Sequence, residues 1–441
     1  MDFMVWLIAF FGIIPSIACA EFKDIFLHFQ PYITLEEEYN SNIDLAPKNK
    51  RNDYITTVSP GLKFSTAPRS PVTGQFKQVP TAEDRYGMDL DFRAGVHFYA
   101  KEHEENYTSL HGTLNAWYAL TQRLQFRVRD YLIRSDEIRE PDYSSTASEG
   151  QYLISRTDKR TPYIRNVFEP SVQYQFGRDN LFSINYRNNI YRINSRTAAD
   201  STENSINSRM IYWFNIRNGV SFEYGLTLGN FEDSPDLIGH MAMVRYTYRF
   251  NPRTSMFGEY TQMWRDFDSP STDYLVYRPS IGIEHAFSPL LSTRVQAGYY
   301  AADPKRGSTV DGPFFDLLLT QRAQRTTYTV SLQGGYTEDY FTADNQGFTQ
   351  YYRTTARITH QLLQRMSVGL LGSYEWAKYP GSETVGRTPK DQIWVVGGNA
   401  SYQIWRWLTI SLDASHRENH SNISNRDYSE YRGVLKVTAT Y

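Results

Sequence analysis

Fourteen basic residues stand on the polar side of alternating apolar–polar segments: Arg127, Arg129, Arg165, Arg187, Arg209, Arg217, Arg245, Arg249, Arg278, Arg294, Arg353, Arg357, Arg432 and Lys436. A guanidinium presents a planar fork that holds carboxylate or phosphate by two parallel hydrogen bonds. Rows of them along a water-filled wall would lower the barrier for anions. The acids in the same segments are fewer: Glu169, Glu223, Glu259, Glu284, Glu375 and Asp413. Adding Glu36, Glu38, Asp89 and Asp91 against Lys63, Arg85 and Arg93 leaves the basic excess in place. Because the whole chain carries a net charge of −2, the compensating acids are expected in the connections. The competing reading is that these arginines pair with the wall's own Glu and Tyr side chains and stiffen it.

Other chemistries find little support. Nucleophilic catalysis needs a Ser, Thr or Cys with a base and an orienting group, yet no Gly-x-Ser-x-Gly or His-Glu-x-x-His motif occurs and the nine histidines are scattered. Glu102-His-Glu-Glu105 with Asn106 could gather a metal, but it follows the strand ending near Tyr99, where a solvated charged tip is the plainer reading. Glu36-Glu-Glu38 could hold a divalent ion with Asp44 or Asp53, against the simpler view of a wet strand end. No catalytic residues, metal or cofactor are therefore expected. A net charge of −2 and a pI near 6.5 give no bulk electrostatic case for nucleic acid.

The elements that must position the arginines are strands. From Tyr431 to Tyr441 the residues Tyr431, Gly433, Leu435, Val437, Ala439 and Tyr441 alternate with Arg432, Val434, Lys436, Thr438 and Thr440. Successive strand side chains point to opposite faces, so one face here is greasy and the other wet. Taken alone, this strand suits the edge of a soluble sandwich as well as a stave in lipid. Composition tips the balance. Aromatics reach 15% with 34 Tyr and 25 Phe, yet mean hydropathy is −0.55. Strands with one lipid face and one water face produce that combination. Short connectors recur at Thr121–Arg123, Gly177–Asn180, Arg217–Gly219, Asn251–Arg253, Ser288–Pro289, Gln321–Arg325, Leu363–Arg365 and Trp405–Arg406. They alternate with longer, acid-rich connections at Glu137 to Lys159, Thr197 to Glu203, Ala302 to Asp311 and Tyr379 to Lys390. A repeat near 40 residues would also suit a propeller, but propeller blades fit four short strands into that span, not two long ones. Phe176, Phe182, Phe250, Phe287, Trp405 and Trp407 stand beside the turns, as an interfacial girdle would. The pattern predicts an all-β, antiparallel up-and-down transmembrane barrel of about 18 to 20 strands. The count depends on the Pro- and Thr-rich Thr66 to Glu83 stretch, and the chain ends lie on the periplasmic side.

Residues 1–20 read as a signal peptide, with an apolar core from Phe3 to Ile14 and the small-x-small site Ala18-Cys19-Ala20, leaving 21–441 as the barrel. Asp2 stands where a basic residue is usual, so an uncleaved anchor, a misplaced start or a lipobox at Cys19 remain as alternatives. Cys19 is the single cysteine, so a chain cut after Ala20 would form no disulfide. The block Pro31-Tyr32, Glu37-Glu-Tyr-Asn-Ser-Asn42 and Asp53-Tyr-Ile-Thr-Thr-Val-Ser-Pro-Gly-Leu62 resembles the start of the putative β-barrel porin 2 family. The recurring turn-arginine-strand pattern and Gly312-Pro-Phe-Phe-Asp-Leu317 are similar to its later parts, so the resemblance extends over most of the mature chain.

That resemblance implies a Gram-negative outer-membrane channel with no established catalytic residues. Some members accompany exopolysaccharide synthesis and export. The expected partners are outer-membrane lipid and lipopolysaccharide, the barrel-assembly machinery, and a polysaccharide with its periplasmic export partners. The expected function is a passive exit for an anionic polysaccharide or other anionic solutes. A structural or adhesive barrel without conductance, or an enzyme with a site at the loop ends, are the alternatives. Tyr431, Gly433 and Tyr441 resemble the end signal by which such barrels are recognised for insertion. Deleting Tyr441 should then lower the amount of protein in the outer membrane, before any effect on conductance. Normal surface levels of the deletion would count against the barrel reading.

Overall fold

A computed structural model of the chain describes residues 29–66, 85–137, 139–141, 152–154, 160–194, 199–268, 273–341, 347–380, 388–423 and 426–441. The expected leader and most of the Thr66 to Glu83 connection lie outside these residues. The first strands are β1 (Phe29–Asn40), β2 (Asp53–Ser65), β3 (Tyr86–Tyr99), β4 (Tyr107–Ala119) and β5 (Leu124–Ser135). Two three-residue strands, β6 (Arg139–Pro141) and β7 (Tyr152–Ile154), form a sheet of their own inside the long connection after β5. Next come β8 (Tyr163–Gln175), β9 (Leu181–Ile193), β10 (Ser201–Trp213), β11 (Asn218–Phe231), β12 (Leu237–Asn251), β13 (Thr254–Phe267) and β14 (Tyr274–Ser288). The rest are β15 (Leu291–Pro304), β16 (Val310–Arg322), β17 (Thr326–Asp339), β18 (Gly347–Leu363), β19 (Met366–Lys378), β20 (Lys390–Trp405), β21 (Leu408–Ser421) and β22 (Tyr428–Thr440).

Apart from the β6–β7 pair, the strands form one 20-stranded antiparallel sheet in sequence order. It closes on itself where β1 pairs with β22, from Tyr32 opposite Thr440 to Asn40 opposite Arg432. Closure gives each stave two neighbours and leaves no edge, the condition for strands to cross a hydrocarbon layer. The chain is therefore a closed antiparallel β-barrel of twenty staves. The count falls at the upper end of the expected range.

Register divides the side chains into two faces. Arg245 lies opposite Glu259 and Val244 opposite Tyr260, so one ladder carries both a charged and an apolar side. The apolar side looks outward: Leu370 and Val396 are 63% and 62% exposed, and Ile281, Leu412 and Tyr431 follow the same pattern. The polar side lines the interior.

Inside, aromatic rings lie over glycines on the next stave. Tyr32 covers Gly61, Trp117 covers Gly87 and Phe257 covers Gly282, each directly across the ladder. A side chain at these glycines would occupy the space of the ring. At the ends with the longer connections, an aspartate of four connections accepts from the last backbone N–H group of the strand before it. Such bonds are Ile193 to Asp200 (2.9 Å), Phe231 to Asp236 (2.9 Å), Phe267 to Asp273 (2.7 Å) and Ser421 to Asp427 (2.6 Å). A carboxylate thus satisfies donors that the ladder leaves open where it stops.

Three expectations about the connections are corrected. Glu203 and Ser201 belong to β10, so the loop expected from Thr197 to Glu203 is shorter. Ala302 to Pro304 and Val310 to Asp311 likewise extend β15 and β16, because polar residues there still alternate with outward ones. The turn expected at Arg217–Gly219 occupies 214–217 instead, with Asn218 and Gly219 already in β11. Replacing Gly282 with Val should lower the barrel's thermal midpoint, with a cost of roughly 1–3 kcal/mol from overpacking against Phe257. Gly258, with nothing within 4 Å of an added Cβ, should tolerate the same change in the same melting assay.

Candidate functional site

The interior polar face is where the predicted basic residues can be placed. Arg127 and Arg129 lie on β5, Arg165 on β8, Arg187 on β9, Arg209 on β10, Arg245 and Arg249 on β12, Arg278 on β14, Arg294 on β15, and Arg353 and Arg357 on β18. All share the inward face with their ladder partners. Arg217 sits in the turn before β11, one rung beyond the strand and on the inward side. On β22, Arg432 and Lys436 face inward, whereas Tyr431 and Gly433 are on the lipid face. Tyr441 follows β22 and its N–H donates to Pro31 carbonyl at 2.9 Å. A part for these last three in assembly remains a proposal.

Many of the wall arginines are stapled to acids on the next stave. Glu169 meets Arg129 at 3.0 Å and Arg187 at 3.4 Å, and Arg187 reaches Glu203 at 3.4 Å. Glu259 is shared by Arg245 and, at 3.4 Å, Arg278, while Gln296 donates to it at 3.2 Å. Arg353 pairs with Glu375 at 2.6 Å, and the closing seam holds Arg432 to Glu38 at 2.5 Å and Lys436 to Glu36 at 2.9 Å. Arg249 lies 3.4 Å from the ring centre of Trp213 and 3.2 Å from Asp179. Among the described residues, Arg127 and Arg209 have no carboxylate within the 4.0 Å of an ion pair, and Glu259 serves two guanidiniums at once. Paired and unpaired charges thus coexist on the wall, and Glu223, opposite Arg209 across the ladder, shares the same face. Some of the compensating acids expected in the connections lie in the strands instead: Glu203, Glu338 and Glu430 join the strand acids already assigned, supplying local counter-charges where guanidiniums are desolvated.

The two acidic groupings considered for metal divide differently. Glu36 and Glu38 face inward on their ion pairs, while Glu37 faces outward and accepts from Thr56 at 2.7 Å. Alternation places the three carboxylates on two faces. Glu102 and Glu105 converge on Arg51, at 2.8 and 2.9 Å, and Asp44 joins them at 2.6 Å. An arginine therefore occupies the centre of that cluster. No grouping of three or more potential metal ligands occurs among the described residues.

Sequence reading missed the feature that shapes the lumen. β16 pairs with β17 only from Phe315 opposite Gly334 downward, whereas β17 stays paired with β18 up to Asp339 opposite Gly347. At Gly335, φ is +151°, in the region that favours glycine. Beyond it the β17–β18 hairpin leaves the wall and turns inward. Tyr336, Glu338 and Phe348 would have faced lipid by alternation, yet they pack on the inner side of β13 to β15. Tyr336 and Phe348 stack at 5.2 Å and join Val276, Tyr300 and Ala302 in a buried cluster. Gln350 donates to the Tyr300 hydroxyl at 2.6 Å.

A charged anchor fixes the tip. Arg265 on β13 donates to Glu338 at 2.6 Å, and both side chains are largely buried. Tyr274 also donates to Glu338 at 2.6 Å and lies 2.6 Å from the Tyr340 hydroxyl, whose ionisation is pushed up by burial. Further along, Phe341 stacks on Phe231 of β11 at 5.3 Å, and its carbonyl accepts from Arg165 of β8 at 2.9 Å. β8 stands nine staves from β17 in a ring of twenty, so the tip spans the lumen. On the β3–β4 side, Arg160 lies over Tyr99 and Tyr107, at 5.1 and 5.8 Å from the ring centres, and pairs with Glu137 at 2.8 Å. Two connections therefore narrow the extracellular half. The only advance signals were Gly334-Gly335 inside a strand and the aromatic run Tyr340-Phe341.

A closed antiparallel barrel, apolar outside, charged inside and narrowed by its own connections, is a porin-like outer-membrane β-barrel. Residues 233–441 match the family described as putative beta-barrel porin 2, which confirms the resemblance seen in the sequence. The match covers the later strands, whereas the opening block quoted for the resemblance lies before it. No curated protein matches the sequence. Among solved structures, the siderophore receptor PirA from Pseudomonas aeruginosa is similar at a TM-score of 0.50 and 8% identity, covering 94% of this chain and 80% of that one. The outer membrane protein opdK from Pseudomonas aeruginosa gives 0.43 at 10% identity, covering 94% and 99%. A BenF-like porin from Pseudomonas fluorescens Pf-5 gives 0.42 at 10% identity, with the same coverage. At these identities the likeness concerns fold alone, and the first of the three carries it.

Replacing Arg265 with Met should leave Glu338 buried without its counter-charge, at a cost of about 3–5 kcal/mol to the docked hairpin. Single-channel conductance should rise as the tip leaves the lumen. The double change R265M/E338L removes both charges and should restore the smaller conductance. Equal conductance for wild type and R265M would show that the hairpin does not limit flow.

Proposed function

We propose that the protein is a passive outer-membrane channel whose lumen prefers anions, and that its natural cargo is an anionic polysaccharide or smaller anionic solutes leaving the cell. The observation that carries this reading is the row of inward guanidiniums, among them Arg127 and Arg209 without a carboxylate in ion-pair range among the described residues and two arginines sharing Glu259. In a confined, partly desolvated passage such charges act over longer range than at an open surface. The polysaccharide is suggested by the family resemblance, through members that accompany exopolysaccharide synthesis.

A structural barrel is the second reading, favoured by the many inter-stave ion pairs that would stiffen a wall whether or not solutes pass. Reversal potentials in a KCl gradient across a planar bilayer separate the two. Anion preference, weakened in R127Q/R209Q, is the expected result. A cation preference at neutral pH would overturn the anion channel, and absence of conductance would favour the structural reading.

A further inference from the structure

Of the arginines that recur in the periplasmic turns, only Arg217 was counted in the lumen reading. In eight of these turns one residue just before the returning strand, or opening it, extends the ladder by one rung, its carbonyl accepting an N–H from the neighbouring stave. Six of those residues are arginine. Arg85 accepts from Ala119 (2.6 Å), Arg123 from Gln175 (2.7 Å), Arg217 from Arg249 (2.7 Å), Arg253 from Ala286 (2.8 Å), Arg325 from Gln361 (2.7 Å) and Arg365 from Gln403 (2.9 Å). Leu290, accepting from Arg322, and Trp407, accepting from Thr440, complete the rung.

Register fixes the face of this rung. Arg217 continues the ladder below Gly219 opposite Thr247, and Arg123 continues it below Gln125 opposite Gln173, both inward positions. The same count from Tyr86 opposite Tyr118, Thr254 opposite His285, Thr326 opposite His360 and Met366 opposite Tyr402 places the other four on the inward face. All six residues are exposed. Among the described residues none of the six has an acidic partner within ion-pair distance. The backbone requirement at these sites is only a carbonyl, which any residue supplies, so ladder geometry does not account for arginine. The extracellular end contrasts with it, since its connections carry the aspartate latches.

We propose that this collar binds linear polyanions presented from the periplasm. Staves are about 4.8 Å apart, so arginines on alternate staves stand about 10 Å or more apart. That separation suits a chain with repeated anionic groups better than a single small anion, which would meet one or two guanidiniums. Each contact at an exposed site is weak, but contacts in series on one chain add through effective concentration. The forks suit phosphate and carboxylate alike. The proposal deepens the anion-channel reading by naming an entry site, and it is tested by binding, which does not require conduction.

The full chain in detergent is titrated calorimetrically with long-chain inorganic polyphosphate and, separately, with orthophosphate. Polyphosphate should bind at least tenfold more tightly per chain, and less tightly as salt rises. In a variant with Arg123, Arg217, Arg253, Arg325 and Arg365 changed to Gln, that affinity should fall at least tenfold, with the heat-resistant folded form retained. Should the five changes together prevent folding, the triple variants R85Q/R123Q/R217Q and R253Q/R325Q/R365Q should each give an intermediate loss. R127Q/R209Q, which leaves the collar intact, should keep polyphosphate binding even where anion preference declines. Unchanged affinity in the collar variants would overturn the proposal, as would orthophosphate binding as tight as polyphosphate. Loss of binding to anionic phospholipid vesicles in those variants, with polyphosphate binding unchanged, would assign the collar to lipid headgroups instead.

Discussion

Everything in this barrel depends on the rule that backbone groups in hydrocarbon must find partners within the protein. The pairing of β1 with β22 meets that rule for the two staves that would otherwise be edges. Its nine rungs also bring Glu36 beside Lys436 and Glu38 beside Arg432, so the seam is zipped by charge on the inside as well as by the ladder. Surface ion pairs contribute little in water. Within a partly desolvated wall they matter chiefly because an unpartnered charge would cost more than the pair gains. The same logic explains why Glu259, 4% exposed, is surrounded by Arg245, Arg278 and Gln296.

Charge is sorted along the axis as well as between faces. Aspartates stand where strands end outside, because a short carboxylate can accept the last N–H groups of a strand and hold the connection that follows. Arginines stand where strands turn inside the cell envelope, on a rung whose backbone is already satisfied. A chain with a net charge of −2 can therefore present a collar of arginines, unpaired among the described residues, at one end while the aspartates at the other are engaged by backbone N–H groups and, at Asp200 and Asp273, by Arg192 and Lys305. Overall composition conceals that arrangement, and only strand register brings it out.

Strand periodicity carried most of the fold in advance. Val244, Tyr246, Tyr248 and Phe250 alternating with Arg245, Thr247 and Arg249 identify both faces of β12 without coordinates, and Leu408 to Ala414 do the same for β21. The aromatic-over-glycine contacts were hidden because they pair residues on different strands, such as Phe257 with Gly282, and so require register. The inward hairpin was hidden for a different reason. Tyr336 and Phe348 keep the alternation of a normal stave, so that only the charged Glu338 on a lipid-side position departs from it, and a local pattern cannot report that the sheet itself has turned over at Gly335. The candidate site was legible to the same extent. Alternation assigned the arginines a face, but Glu203 as partner of Arg187, and the Arg265–Glu338 anchor, lay beyond what spacing alone could assign.

The narrowing element being an extension of two staves, rather than a free loop, has a geometric consequence. Side chains in a strand repeat every two residues, and a shift of one would exchange the face on Tyr300 for the face on the open lumen. The length of the hairpin between Gly335 and its tip can therefore change only by pairs of residues on each arm, each pair displacing the tip by about 7 Å. Pore size in relatives built on this plan would vary in steps, so that evolution could tune it finely only through the side chains at the tip.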